Sequence, residues 1–232
     1  MIETVCDLIK IKINLGKCEV AGFSAHTNDT HEDWSPVITL AGKIIKDNPN
    51  PRLLGVILDR WMTFSAHINT IKDSLQQSFR QLQAVSHSDW GWNFTNLRAI
   101  FFALIRTRSE YAGPAWLPNV SNENLKKLES LQNKGLRLVT GQLQSTPREA
   151  LNLEADVPTF KTHSQRLIAR SYEKALRSTN DHPKKLALEE GAPNLKKRTN
   201  WRKFVLEIAE TLPPELNNRK PFDLFTVAPW TS

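Results

Sequence analysis

The sequence predicts an α+β chain that is mainly α: a small N-terminal antiparallel β region, then a helical bundle and a helical C-terminal extension. Three observations carry this reading. Apolar and polar residues alternate only before residue 60, the period of a half-buried strand. From Phe64 onward apolar residues recur every three or four positions, one face of a helix. Strands therefore come first and helices later, which argues against an alternating βα order. A composition of 40% hydrophobic and 24% charged residues is enough for a buried core and unlike that of a disordered chain.

The elements follow in order. Ile9, Ile11 and Ile13 alternate with Lys10, Lys12 and Asn14 as in a strand, Gly16 marks a turn, and residues 20–23 suit a second strand. Residues 25–36 read as a loop and residues 36–42 as a strand. Pro49 and Pro51 bar regular structure, and the short apolar run at 53–59 predicts a buried strand. Gly55 within it allows either a bulge or a close backbone approach. Phe64, Ile68, Ile71, Leu75, Phe79 and Leu82 then form one face of a helix of about six turns. A second helix runs from Phe94 to about Arg108 with Leu97, Ile100, Phe101 and Leu104 inward, and residues 110–119 form a structured turn. Ser121 caps a third helix whose inner face is Leu125, Leu128, Leu131 and Leu138. Thr146-Pro147-Arg148-Glu149 spells a capping box with proline at the first helical position. Thr159 opens a helix carrying Phe160, Leu167, Ile168, Tyr172 and Leu176 on one side. The domain organisation expected is a β region over 1–60, helices over 61–178, an exposed linker at 179–199, and a final helix from Trp201 with a proline-interrupted tail to 232.

The formal charge of +7 is uneven. Residues 1–120 hold 12 Lys+Arg against 11 Asp+Glu, and residues 121–232 hold 19 against 13. That basic half permits attraction to phosphate, moderated by interleaved acids, and solvated basic helices carry such charge just as commonly. Cys6 and Cys18 are too few for a disulfide framework or a tetrahedral metal site. With no membrane-spanning apolar run and no signal peptide, the chain is expected inside the cell, in nucleus or cytoplasm, away from any membrane. The sequons at Asn28, Asn93 and Asn119 then read as chance matches. Glycine-rich phosphate loops, Gly-x-Ser-x-Gly elbows and His-Glu-x-x-His pairs are all missing from the sequence. His67, at helical spacing, reads as a partly buried helix residue in preference to a general base. Trp90 and Trp92 are loop aromatics, suited either to base stacking or to anchoring the loop.

Four blocks in order resemble the reverse transcriptases of non-LTR retrotransposons of the Jockey and I-element type. They are KINLGKCEVAGFS at 12–24, RLLGVILDRWMTFSAHI at 52–68, ALIRTRSEYAGPAW at 103–116, and LESLQNKGLRLVTGQLQSTPREALNLEADVPTF at 128–160. The resemblance implies that residues 1–60 end the palm and form the primer-grip hairpin, and that the helices form a thumb that grips template–primer duplex. It implies that Lys17 is the palm lysine near the incoming nucleotide's phosphates. Leu54, Gly55 and Val56 would hold the primer terminus. Residues beyond 160 resemble the spacer before an RNase H domain. On the helices, Arg98, Arg106, Arg108, Lys126, Lys127, Lys134 and Arg137 are the candidates to face phosphates.

Strand synthesis needs two divalent ions held by carboxylates. In the family these lie in an aromatic-x-Asp-Asp block upstream of the lysine block, and Mg²⁺ is the ion. No adjacent Asp pair occurs in these 232 residues, so the expectation is a chain with no cofactor of its own and no polymerase activity in isolation. The expected partner is an RNA–DNA hybrid or other nucleic-acid duplex, together with the palm, fingers or RNase H portions of the same element. The competing expectations are a non-catalytic helical module for protein contacts, and a relic without function.

Overall fold

Two-residue ladders are all the β structure that forms among the residues described by the computed structural model, which are 10, 12–24, 37–87, 90–178 and 206–207. The strands are β1 (Glu19–Val20), β2 (Thr39–Leu40), β3 (Lys43–Ile44), β4 (Lys46–Asp47), β5 (Arg52–Leu53) and β6 (Val56–Ile57). β2 pairs with β3 and β5 with β6 antiparallel, as expected, but β1 pairs with β4 in parallel. Residues 12–14 are not in a strand, and Leu15–Lys17 form a single 3-10 turn capped by the Asn14 side chain. Ile9, Ile11 and the 25–36 loop lie outside the described residues.

The 53–59 run is not the continuous buried strand that its composition predicts. It folds back on itself as a hairpin, with Leu54 and Gly55 at its tip at φ 46° and 89°. Two successive positive φ values are what a two-residue hairpin turn needs for its twist to match the strands. Glycine adopts that conformation readily, which explains Gly55; Leu54 does so only with strain. Val56 is buried, while Leu53 and Leu54 are 62% and 84% exposed. The second hairpin repeats the device with Ala41 and Gly42 at φ 48° and 72°, which ends β2 before the predicted 36–42 strand is complete.

Helices account for most of the described chain, so the fold is mainly α with a small β part. They are α1 (Ser65–Val85), α2 (Phe94–Ile100), α3 (Thr107–Glu110), α4 (Gly113–Trp116), α5 (Asn122–Thr140), α6 (Arg148–Glu154) and α7 (Phe160–Leu176). The chain divides into two compact units, Met1–Asn69 and Thr70–Ser232, and the division falls inside α1. All six apolar residues predicted for the inner face of α1, from Phe64 to Leu82, are buried. Ahead of α1, Asp59 accepts from the Thr63 amide at 2.8 Å and from its hydroxyl at 3.0 Å.

Between α2 and α3 the backbone widens into a π-helical stretch, Phe101–Arg106. One extra residue per turn moves the inward phase along the chain. Ile105 is thus buried where Leu104 was expected, alongside Leu97 and Phe101. The predicted turn at 110–119 is instead two short helical pieces, α4 and the 3-10 turn Leu117–Asn119, built around a fully buried Trp116. The Trp116 indole N–H donates to the Tyr111 carbonyl at 2.9 Å, so its one polar atom is satisfied.

Ser121 caps α5 by accepting from the Asn124 amide, and Thr159 caps α7 by accepting from the Thr162 amide. The capping box at 146–149 does not form. α6 starts one residue later with Pro147 as its cap, and the Thr146 hydroxyl donates to Gln142 Oε1. The inner face of α5 is also rotated from the expectation. Leu128, Gln132, Leu136 and Val139 are buried, while Leu125, Leu131 and Leu138 are half-buried. Gly135 belongs to that face because a Cβ there would stand 2.7 Å from the Phe101 ring. The final helix from Trp201 and the linker at 179–199 lie outside the described residues, apart from helical Leu206 and Glu207. Among the described residues no helix is long and apolar enough to cross a membrane.

Candidate nucleic-acid interface

The cations singled out in the sequence fall into two groups, those tied to the protein and those facing water. Arg106, at the end of the π-helical stretch, is 4% exposed. Its Nε donates to Glu110 Oε1, one turn on, and its Nη1 donates to Gln132 Oε1 on α5. The guanidinium also lies 5.7 Å from the Phe160 ring centroid. Glu110 is shared: its second oxygen meets His163 Nε2 of α7 at 2.8 Å. Gln132 passes the network onward through its amide nitrogen, to Asn152 of α6 and to the Pro158 carbonyl at 3.0 Å. One buried guanidinium thereby joins α3, α5, α6 and α7 through hydrogen bonds. A charge removed from water needs such partners.

Burial pushes the His163 imidazole below its ordinary range, helped by the positive charges of Arg106 and Arg170 and opposed by Glu110. His67 is likewise held down, by burial and then by Arg52, and its Nδ1 accepts from the Ile57 amide at 3.4 Å. It serves as a buried helix residue, as its spacing suggested.

Arg98 and Arg137 are engaged with backbone carbonyls. Arg98 closes the end of α6, donating from Nε to the Ala155 carbonyl at 2.8 Å and from Nη2 to the Asp156 carbonyl at 2.9 Å. It forms an ion pair with Asp156 as well, and its guanidinium stands 5.0 Å from the Phe102 ring centroid. Cations are favourable at a helix C-terminus, where carbonyls lack intrahelical partners. Arg137 clasps the turn after α5 through the carbonyls of Leu143, Gln144 and Thr146 at 3.3–3.5 Å. Arg108 is exposed but anchored by Nη1 to Ser78 Oγ at 2.8 Å.

The lysines lie on the water side. Lys126, Lys127 and Lys134 are all exposed on α5. The Lys127 ammonium donates to Asn124 Oδ1 at 2.9 Å, and Lys134 Nζ stands 4.7 Å above the Phe79 ring. The seven-residue spacing of Lys127 and Lys134 places them on one stripe, with exposed Ser130 between them and the acidic, exposed Glu123 at its N-terminal end. Half-buried Glu129 adds a second carboxylate to α5 and accepts from the Lys161 amide at 3.3 Å. Lys17 is exposed at the end of its 3-10 turn. Trp90 and Trp92 are 67% and 52% exposed, and Trp90 stacks on His87 with ring centroids 4.9 Å apart.

The sequence reading predicted α7 but passed over its cations. Its Arg166, Arg170 and Lys174 are exposed, and their four-residue spacing, opposite Ile168, was the signal that marks them as one face. It also passed over Glu110, Gln132 and His163: half-buried Glu110 and buried Gln132 bond the Arg106 guanidinium, and half-buried His163 bonds Glu110. For catalysis, the described residues contain no cluster of three His, Cys, Asp or Glu side chains able to hold a metal ion.

Comparison with known proteins adds names to this arrangement. The chain is 25% identical over 177 residues to the RNA-directed DNA polymerase from mobile element jockey of Drosophila funebris, covering 76% of this chain and 18% of that protein. Its counterpart from Drosophila melanogaster is 27% identical over 186 residues, covering 78% and 19%. The probable RNA-directed DNA polymerase from transposon X-element of Drosophila melanogaster is 24% identical over 181 residues, covering 78% and 17%. The chain thus spans less than a fifth of the length of these relatives. It is related in sequence to non-LTR retrotransposon polymerases, as its four ordered blocks implied. No protein-family model matches the chain, and no solved structure matches it.

Proposed function

We propose that the chain is the portion of a retrotransposon's RNA-directed DNA polymerase that holds template–primer duplex, and that it does not polymerise alone. The observation that carries this reading is the similarity running through more than three quarters of the chain to three proteins named as such polymerases. The inactivity of the isolated chain rests on the missing adjacent Asp pair.

Within this reading the duplex contacts come from the water-facing cations Lys126, Lys127 and Lys134, with Arg108 beside them in the candidate set. Arg98, Arg106 and Arg137 support the surface from beneath, because their guanidinium groups already hold carboxylate, amide or carbonyl oxygens. Lys17 and the Leu54–Gly55 tip are the contacts proposed for nucleotide and primer. Leu54 suits that role because its 84% exposed side chain sits on a defined turn with a strained, left-handed backbone.

The test is an equilibrium titration of the whole chain with an RNA–DNA hybrid at increasing salt. Replacing Lys126, Lys127 and Lys134 with Gln should flatten the dependence of log K on log salt by about 2.7, at ~0.9 per phosphate released. No binding at low salt would reject the reading. Primer extension by the purified chain with Mg²⁺ would reject the claim that it is inactive alone.

A second reading has one observation in its favour. In the first unit Val37, Ile44, Leu53 and Leu54 are 62–84% exposed, beside short strands with open edges. Such residues suit a protein partner. Stable oligomers by light scattering, together with no affinity for the hybrid, would favour this interaction module over the polymerase reading.

A further inference from the structure

Helix α7 carries a charge pattern unlike that of any other cationic segment described above. Arg166, Arg170 and Lys174 are exposed and recur every four residues. At 3.6 residues per turn they fall within an arc of about 80°, spread along ~12 Å of helix. The opposite face is the buried one, formed by Phe160, Ser164, Ile168, Ser171 and Ala175. No acidic residue occurs in α7 before Glu173, which is paired with Arg177 at 3.9 Å. None of the ion pairs among the described residues takes Arg166, Arg170 or Lys174.

The three cations repel one another, and half-buried Glu173, itself paired with Arg177, is the one carboxylate of α7 among them. Two arginines of the three favour phosphate, whose oxygens match the planar guanidinium fork. Apart from cations, the exposed residues of α7 are Thr162 and Gln165, so it lacks the large apolar side chains with which a helix lies in a membrane surface. It also lacks an exposed aromatic residue on which an unpaired base would stack, which favours a duplex over a single strand. The helix is tied to its neighbours where buried Phe160 adjoins the Arg106 guanidinium and half-buried His163 holds Glu110.

We infer that the outer face of α7 is a second track for the phosphate backbone of a nucleic-acid duplex, distinct from the α5 lysines. The partner class rests on the function proposed above, and the surface is new. Arg166, Arg170 and Lys174 each neutralise one phosphate and read no base, so the contact is independent of sequence. α5 carries Glu123 and Glu129, and α7 carries Glu173 at the C-terminal end of its stripe. Each face carries three exposed cations, so α7 contributes a salt dependence like that of the α5 lysines.

The experiment compares the full chain, its Arg166→Gln/Arg170→Gln/Lys174→Gln variant and its Lys126→Gln/Lys127→Gln/Lys134→Gln variant on one RNA–DNA hybrid across a salt series. The α7 variant should lose about 2.7 from the slope of log K against log salt, at ~0.9 per phosphate. An Arg166→Lys/Arg170→Lys variant should keep the full slope, because it preserves the number of charges. Should the triple replacement disturb folding by circular dichroism, Arg166→Gln and Lys174→Gln singly should each remove ~0.9. An unchanged slope in the α7 variant, with a flattened one in the α5 variant, overturns this inference and leaves the duplex-binding reading standing. The reverse pattern supports α7 and rejects the α5 assignment. No salt-dependent binding by any form overturns both. Sedimentation with phosphatidylserine vesicles that depends on the three cations, while hybrid binding does not, assigns the face to a membrane and overturns the inference as well.

Discussion

Arg106 and Arg166 are the same residue type in the same unit, and the fold uses them in opposite ways. Arg106 is enclosed by Glu110, Gln132 and the Phe160 ring, where the low dielectric makes every partner count. Arg166 faces water with Arg170 and Lys174 and forms no ion pair among the described residues. Net charge therefore overstates what a surface offers to phosphate. Arg98, Arg106 and Arg137 contribute to the basic count of the chain but are occupied by its own oxygens. Of the cations singled out above, the lysines of α5, those of α7 and the partly anchored Arg108 still face water.

The sharpest way to break that contrast is to remove the buried charge. Arg106→Gln should destabilise the second unit by roughly 3–5 kcal/mol, since Glu110 would be left in the interior without its closest cation. A urea midpoint lowered without a change in m-value is the expected result. A loss below about 1 kcal/mol would show that Arg106 is no more than a surface pair in effect.

Lowering the pH probes the same pocket from the His163 side. Its folded-state pKa lies below the ordinary 6.5, so the unfolded chain takes up the proton first. Stability is then fully present above about pH 6.5 and is lost as pH falls from there through the folded value, with a slope no steeper than about 1.4 kcal/mol per unit for this group. His67, depressed by burial and Arg52, adds in the same direction. Urea midpoints at successive pH values should fall on the acid side, and His163→Gln should flatten part of that fall. A midpoint indifferent to His163→Gln would detach the histidine from the stability of the network.

How far the sequence revealed this arrangement depends on the element. Most of the inner face of α1 was legible because apolar residues from Ile68 to Leu82 at helical spacing leave only one buried side, which Ser78 shares. The caps at Ser121 and Thr159 were legible from local chemistry alone. The hairpins were not: a run such as 53–59 looks like a strand until Leu54 takes a left-handed conformation that its side chain disfavours. The α5 face was misplaced because Gln132 is buried for its bond to Arg106, a contact between residues 26 apart that no periodicity encodes. The candidate interface suffered from the same blindness. Spacing identified cations on helices but not which of them the fold had already paired. The α7 stripe could have been read from its four-residue repeat, had its charged side been followed as closely as its apolar one.

The intermediate case sharpens the contrast. Arg98→Ala should cost about 1–2 kcal/mol, since the bonds it donates to the Ala155 and Asp156 carbonyls are charge-assisted but partly exposed. Its effect on hybrid affinity should not exceed that of one released counterion, because its guanidinium is turned to the end of α6. A loss of affinity with unchanged stability would instead place Arg98 on the binding surface.

The smallest effect is expected on the outer face of α7. Arg166→Gln and Lys174→Gln should leave thermal unfolding within about 0.5 kcal/mol of the parent, as exposed replacements away from caps and cores do. Arg170→Gln is the informative neighbour, because its charge reaches His163 and lowers that imidazole's pKa. Removing it should raise the His163 pKa toward its ordinary value and so lessen the loss of stability on the acid side, with no change above about pH 6.5. The comparison then divides cleanly. A residue of the surface changes salt dependence and spares stability, a residue of the interior does the reverse, and Arg170 alone should touch both, through phosphate in the complex and through His163 in acid. Equal pH profiles for the parent and the Arg170→Gln variant would separate the α7 surface from the buried network beneath it.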